Sequence, residues 1–458
     1  MKTNLSLDYA AILANTARPI HLALTFDAPT TTPSRPQPVA FVVVLDQSGS
    51  MSGHPLEAAK RAAESVVRNL RPGDWFGMVT FDSTAQTIIS FSDQRDPAGA
   101  LRAIGEIQEG SSTNLTAGWS LGRDMLAKAP KGCPRKLLLL TDGQANVGIT
   151  EPDHIQHLVG QALERENIRT SCLGFGDDYS EDLLRSLATV TGGELHDANS
   201  PENLPKIFEI ELEGLQRIAV QNLRVRLKPA PCVDDINLLG AYPAPSTEID
   251  VREYAIGDLV SSEQRVIIFA LSVLPIPMLP DGQVAATWEG EKLLDLEILC
   301  DVISDTGVEI RRESHVVAVQ PVQDPAEVKV NVEVIAWVSL QAATEVVDRA
   351  VKLRDLDQPA EARILLEQEL ERLATLPPSD LLVDAAKLIR RALALLDENV
   401  NYSRERKSMY SMSLQYSKGS SHQSTLVEDG DIPSFKRRRP PSPNQPSSPP
   451  SIGKDDTI

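Results

Sequence analysis

Phe41-Val42-Val43-Val44-Leu45-Asp46-Gln47-Ser48-Gly49-Ser50-Met51-Ser52-Gly53 is an apolar run that stops at a carboxylate. Its first five residues are apolar on both faces, the pattern of a central strand covered by helices on either side. Asp46, Ser48 and Ser50 then occupy alternate positions. In an extended segment alternate side chains face the same way, so these three oxygen-bearing groups can converge on one point. Gly49 and Gly53 allow the backbone to turn sharply there. The stretch predicts a buried strand that delivers oxygen ligands to the edge of a sheet.

Working outward, strands and helices alternate. Residues 55–70 read as a helix stopped by Arg71-Pro72-Gly73, and 75–81 and 84–91 as two strands joined at Asp82-Ser83. A short helix at 97–108 leads to the polar loop Gly110-Ser111-Ser112-Thr113-Asn114 and a helix over 115–129. Leu137-Leu138-Leu139-Leu140-Thr141 is another buried strand, closed by Asp142-Gly143. Helices at 152–166, 180–190 and 201–213 alternate with strands at 169–175 and 194–196. This alternation predicts, for residues 39–213, a mostly parallel, doubly wound α/β sheet with helices on both faces.

The flanks read differently. Residues 1–38 hold an alternating strand at 18–27 and a Pro-rich linker at 28–38. Residues 214–325 show short alternating runs (218–227, 248–254, 264–274, 283–288, 293–302 and 308–319) broken by Pro, Gly and Asp, which predicts a β-sandwich. The strand at 18–27 is expected to pair into it, making the α/β region an insertion. Residues 326–398 carry amphipathic helical stretches at 341–356, 358–374 and 380–397. The Ser-, Pro- and basic-rich residues 399–458 are expected to be a disordered tail.

Totals narrow the function classes. A chain of 458 residues should form two or three domains. A formal charge of −19 argues against nucleic acid or an anionic membrane as the main partner. Cys133, Cys172, Cys232 and Cys300 lie far apart without a CxxC pair, so reduced thiols are expected rather than a disulfide framework or zinc site. The first residues lack a signal-peptide pattern, and no apolar run reaches the roughly 20 residues of a membrane span. A cytoplasmic location is expected.

In an open parallel sheet, ligands bind beyond the carboxyl ends of the strands. Asp46, Ser48 and Ser50 follow one strand, Thr113 lies in a loop before a helix, and Asp142 follows another strand. Two carboxylates and three hydroxyls form a hard donor set suited to Mg²⁺ or Mn²⁺, or less ideally Ca²⁺, and unsuited to zinc or copper. Mg²⁺ takes about six ligands and usually keeps waters. A coordination position therefore stays open for an Asp or Glu from a partner.

Asp46-x-Ser48-x-Ser50, Thr113-Asn114-Leu115, Leu140-Thr141-Asp142-Gly143 and Thr191-Gly192-Gly193 resemble the metal-ion-dependent adhesion site and framework of von Willebrand factor type A domains. The resemblance covers 39–213. It implies a Rossmann-like domain in which Ser48, Ser50 and Thr113 can bind the metal directly while Asp46 and Asp142 act directly or through water. It also implies a protein-binding module rather than an enzyme. The domain order looks like that of bacterial and inter-α-trypsin-inhibitor-like members.

Competing readings are weaker. A hydrolase nucleophile elbow would need serine where Met51 stands, and a phosphatase using Asp46 would want an acid where Ser48 stands. No Gly-rich Lys loop is present, so a role as subunit of an AAA+ ATPase complex, in remodelling or metal insertion, would need the motor in trans. His54, His154, His157 and His196 read as surface or capping residues, and Asp177-Asp178 as an N-cap. The basic run Lys436-Arg437-Arg438-Arg439 reads as solvated. The expected function is a divalent-metal-dependent protein-binding module on a multidomain scaffold.

Overall fold

The computed structural model describes residues 1–30, 37–93, 96–248, 250–278, 292–304, 307–397 and 402–422. The 283–288 strand and the basic run at 436–439 fall outside them.

The chain opens with strands β1 (Lys2–Leu7), β2 (Ala11–Leu13) and β3 (Arg18–Asp27). The α/β unit follows: β4 (Ala40–Asp46), α1 (His54–Asn69), β5 (Trp75–Phe81), β6 (Ala85–Ser92), α2 (Pro97–Gly105), α3 (Leu115–Leu126), β7 (Arg135–Thr141), α4 (Pro152–Glu166), β8 (Ile168–Phe175), α5 (Glu181–Thr191), β9 (Leu195–Ala198) and α6 (Leu204–Gln216). Its sheet runs in the order β6-β5-β4-β7-β8-β9. Every pairing is parallel except β5 with β6, whose tight connection permits only an antiparallel hairpin.

All seven residues of β4 are buried. Phe41, Val43 and Leu45 pack under α1, α2 and α6, while Ala40, Val42 and Val44 pack against α3, α4 and α5. That two-sided covering is why the strand is apolar without alternation. After β6 the chain crosses back to place β7 on the other side of β4, so the strand order reverses between β4 and β7. Such a reversal leaves a crevice beyond the strand ends. Asp46 and Thr141, the last residues of these two strands, border it.

The Thr191-Gly192-Gly193 turn has a packing reason. A Cβ on Gly193 would stand 2.0 Å from the Thr170 carbonyl oxygen, so only glycine fits. Thr191 Oγ1 accepts the Thr170 N–H at 3.0 Å, fastening the end of α5 to β8. His196, expected at the surface, is instead 1% exposed. It lies on β9 facing α6, with Nε2 2.6 Å from Glu211 Oε1, and Lys136 reaches the same carboxylate at 2.8 Å. Burial alone would raise the Glu211 carboxyl, but Lys136 and His196 hold it well below the ordinary value.

The remaining strands are β10 (Ile218–Pro229), β11 (Val233–Leu239), β12 (Ser246–Glu248), β13 (Val251–Val260), β14 (Gln264–Val273), β15 (Lys292–Ser304), β16 (Gly307–Ala318) and β17 (Gln320–Val322). Two antiparallel sheets, β1-β3-β14-β11 and β12-β13-β10-β15-β16, enclose one apolar core. β3 pairs with β14 along its whole length, Leu24 opposite Ile267. The α/β unit is thus inserted between β3 and β10 of the sandwich.

Helices α7 (Val332–Asp355), α8 (Pro359–Ala374) and α9 (Asp380–Ala394) pack together. Trp337 and Leu340 of α7 join Ala23, Val266 and Ile268 on the outer face of β3 and β14. The tail reading for 399–458 requires correction over 402–422, and its remainder from 423 lies outside the described residues. Residues 402–417 form α10 (Tyr402–Ser417), and its second half is buried. Met409, Met412 and Tyr416 enter the helical core while Tyr410 and Leu414 enter the α/β core. Interleaved serines made this stretch read as low complexity, yet in a helix wedged between two units small serines permit close approach on every side.

Ion pairs fix α10 in place. The Arg406 guanidinium contacts Glu181, Asp182 at 2.8 Å and Asp355 at 2.8 Å. Lys407 is buried and donates to the Tyr179 carbonyl at 2.7 Å and to Glu181 at 2.9 Å. Removing Arg406 leaves Glu181 to Lys407 alone and takes from Asp182 and Asp355 the cation they share. Arg406→Ala should therefore speed amide hydrogen exchange in α5 and β9 by about tenfold or more, measured by mass spectrometry. Protection equal to wild type would refute the clasp.

Candidate metal centre

Backbone bonds shape the crevice before side chains enter it. Gln47 N–H donates to the Phe81 carbonyl at 2.9 Å, Gly110 N–H to Gln47 at 2.6 Å and Gly49 N–H to Ser111 at 3.1 Å. The loops after β4 and before α3 are thereby laced together. Gly53, at φ 78°, turns the chain into α1 through left-handed backbone that a side chain would strain.

Asp46 is fully buried. Its Oδ1 accepts the Ser48 N–H at 2.8 Å and its Oδ2 the Thr141 hydroxyl at 2.6 Å. Burial pushes this carboxyl above its ordinary value, against the lowering effect of those hydrogen bonds, and the charge on Asp82 adds to the rise. Ser50 Oγ donates to Asp142 Oδ1 at 2.7 Å and lies 3.2 Å from Ser48 Oγ. Burial pushes Asp142 up to about 6, opposed by Ser50 and reinforced by the Asp46 charge.

Thr113 closes the group from the neighbouring loop. Its N–H donates to Asn146 Oδ1 at 2.9 Å, and its carbonyl accepts the N–H groups of Asn146 and Val147 at 3.1 and 3.2 Å. Gly143 leaves a gap between the hydroxyls: a Cβ there would stand 3.6 Å from Thr113 Oγ1 and 3.9 Å from Ser50 Oγ. The structure thus brings Ser48, Ser50, Thr113 and Asp142 around one spot. Asp46 lies beneath them, with both oxygens engaged in holding the loop.

The residues fit a hard divalent cation. The set is all oxygen, and its two carboxylates sit where burial disfavours their charge, which a cation would offset. Among the described residues no group of three or more His, Cys, Asp and Glu side chains could hold a metal ion. This constellation reaches five donors only by counting hydroxyls. The side chains of Ser48, Ser50, Thr113 and Asp142 would hold the ion, with Asp46 acting directly or through water.

Two residues that shape the site had no role assigned from the sequence. Thr141, the last residue of β7, anchors Asp46, and its place before Asp142 was the available signal. Asn146 fixes Thr113 from a loop position that nothing in the pattern marks. Asp177 and Asp178 do not cap α5: Ser180 holds the N-cap position without a side-chain cap bond, and Asp177 lies 3.9 Å from Arg404. Ser50 is committed to Asp142, and His54 is an exposed residue 4.0 Å from Glu202, so no serine–histidine pair forms there.

Residues 41–210 match the von Willebrand factor type A domain. An uncharacterized protein of Synechocystis is 28% identical over 242 residues, 51% of this chain and 57% of its own length. Bovine inter-α-trypsin inhibitor heavy chain H4 is 32% identical over 166 residues, 34% of this chain and 18% of its own. The chain therefore spans between about a fifth and just over half of these relatives. A von Willebrand factor type A structure from Catenulispora acidiphila superposes with a TM-score of 0.71 at 16% identity, over 91% of this chain and 96% of that one. That likeness is one of fold and extends beyond the α/β unit.

Two outcomes follow from this geometry. Thr141→Val removes a donor from a buried carboxylate and should cost about 1–3 kcal/mol, whereas Thr141→Ser should cost much less; chemical denaturation of both variants checks this. In metal-free buffer, folded Asp142 keeps its proton up to about 6 while the unfolded chain releases it in the ordinary carboxylate range. Its contribution to stability is full below that range and lost as pH rises through about 6. Melting temperatures of wild type and Asp142→Asn in EDTA should therefore diverge across this interval, the variant showing the smaller fall because only Asp46 still contributes one.

Proposed function

We propose that this chain, whose residues 41–210 form a von Willebrand factor type A domain, is a divalent-metal-dependent protein-binding module on a multidomain scaffold. Such domains mediate protein–protein interactions, and the finer reading concerns how this one does so. The observation that carries it is the convergence of the Ser48, Ser50 and Asp142 oxygens, with Thr113 beside them, at the strand-order reversal.

Each residue has a definable role in this reading. Ser48, Ser50 and Thr113 supply neutral oxygens, and Asp142 supplies charge. Asp46 keeps the loop in register by holding Ser48 N–H and being held by Thr141. A bound Mg²⁺ would supply Lewis acidity toward a carboxylate. With three of five donors neutral, the site leaves that ion enough charge to accept an Asp or Glu from a partner.

Isothermal titration with Mg²⁺ tests the claim. Wild type should bind, and Asp46→Ala or Asp142→Ala should lose measurable uptake, because each substitution removes one of two charges that hold the ion. Partner capture should likewise be lost in EDTA and return with Mg²⁺. Equal binding heats for wild type and Asp46→Ala would sink the reading.

A further inference from the structure

The loops at the carboxyl end of the α/β sheet share a property that the metal-ligand residues do not explain. They comprise residues 46–53, 82–84, 106–114, 142–151, 176–180 and 199–203, and they contain no lysine or arginine. Beyond Asp46 and Asp142, they carry Asp82, Glu106, Glu109, Glu151, Asp177, Asp178 and Glu202, none of them buried. Glu109 accepts a hydrogen bond from Ser52, two residues past Ser50, so its charge stands at the mouth of the site. Asp82 and Asp178 are near enough for their charges to act on Asp46 and Asp142 respectively. Of the cations that approach from outside these loops, Arg404 is engaged by Asp197 at 2.7 Å, the Gly176 carbonyl at 3.3 Å and Asp177 at 3.9 Å, and Lys407 by the Tyr179 carbonyl at 2.7 Å and Glu181 at 2.9 Å.

An acidic rim opposes the ligand that the centre is proposed to take. A lone partner carboxylate, or one in an acidic segment, would meet repulsion from every side before reaching the ion. Like charges brought together across an interface penalise wrong partners, and opposite charges steer the right ones. We propose that this face selects a protein segment in which one Asp or Glu is flanked by several Lys or Arg residues. The carboxylate enters the metal centre and the flanking cations neutralise Glu109, Asp178 and Glu202. This rests on the metal-dependent reading above and deepens it, since it names the partner's charge pattern. Because the rim groups are solvent-exposed, their effect is screened by salt.

The test uses the full chain with saturating Mg²⁺ and fluorescently labelled nine-residue peptides, read by anisotropy. One peptide carries a central Asp among lysines, one a central Asp among serines, one a central Asp among glutamates, and one a central Asn among lysines. The lysine-flanked Asp peptide should bind about tenfold or more tighter than the serine-flanked one at low salt, and the glutamate-flanked peptide weakest of the three. The Asn peptide should lose the Mg²⁺-dependent part of binding, and the ratio should shrink as salt rises. Glu109→Gln combined with Asp178→Asn should narrow it too. Equal or reversed ranking among Asp peptides that still need Mg²⁺ overturns this inference and leaves the metal-dependent reading standing. Equal binding of the Asn peptide reduces the effect to simple cation attraction and also overturns it. Loss of all Mg²⁺-dependent binding overturns both readings.

Discussion

The hydrogen bond from the Thr141 hydroxyl to Asp46 Oδ2, 2.6 Å long and fully buried, joins the ends of two adjacent strands at the point where the strand order reverses. A carboxylate with no access to water must be satisfied inside the protein. Asp46 meets that demand by accepting from Thr141 on one side and from the Ser48 backbone on the other. The second bond decides where the next loop goes, and hence where Ser48 and Ser50 point. One buried charge thus connects the sheet to the loop geometry above it. The hydroxyls of Ser48 and Ser50 are arranged by a residue that no solvent reaches.

The same economy of connection governs the larger architecture. The sandwich needs β3 to fill the place between β1 and β14, and the helical bundle lies on the outer face that β3 and β14 present. α10 then returns to the α/β unit, placing Tyr410 and Leu414 in one core and Met409 and Met412 in the other. Three units are tied by two long-range returns of the chain, one apolar and edge-paired, the other ionic around Arg404, Arg406 and Lys407.

Much of this was legible in the residues. The apolar run into Asp46, the leucines into Asp142 and the strand–helix rhythm between them specify the doubly wound sheet, because fully covered strands are apolar on both faces. Elements without that contrast were less visible. β1, Lys-Thr-Asn-Leu-Ser-Leu, and β11, Val-Asp-Asp-Ile-Asn-Leu-Leu, sit at sheet edges with one wet face, so polar residues dilute the alternation. α10 was obscured for the opposite reason: buried all round, it uses serine where an amphipathic helix would show a clear apolar stripe. At the centre, the side chains that could touch an ion stood out by type and spacing. Their supports, Thr141 and Asn146, act through hydrogen bonds whose geometry exists only once distant loops have met.

The insertion between β3 and β10 has a consequence for biosynthesis. β3 emerges from the ribosome before the α/β unit, while β14, the strand it pairs with along its whole length, emerges only after it. At ribosomal speeds that interval is on the order of ten seconds or more, longer than the milliseconds to seconds in which single domains with non-local strand pairing fold. During the interval Leu22, Leu24 and Phe26 have no sandwich core to enter. The nascent chain therefore carries a folded unit on an apolar strand that has β1 on one side and no partner yet on the other, and translation speed and chaperone supply become determinants of its yield.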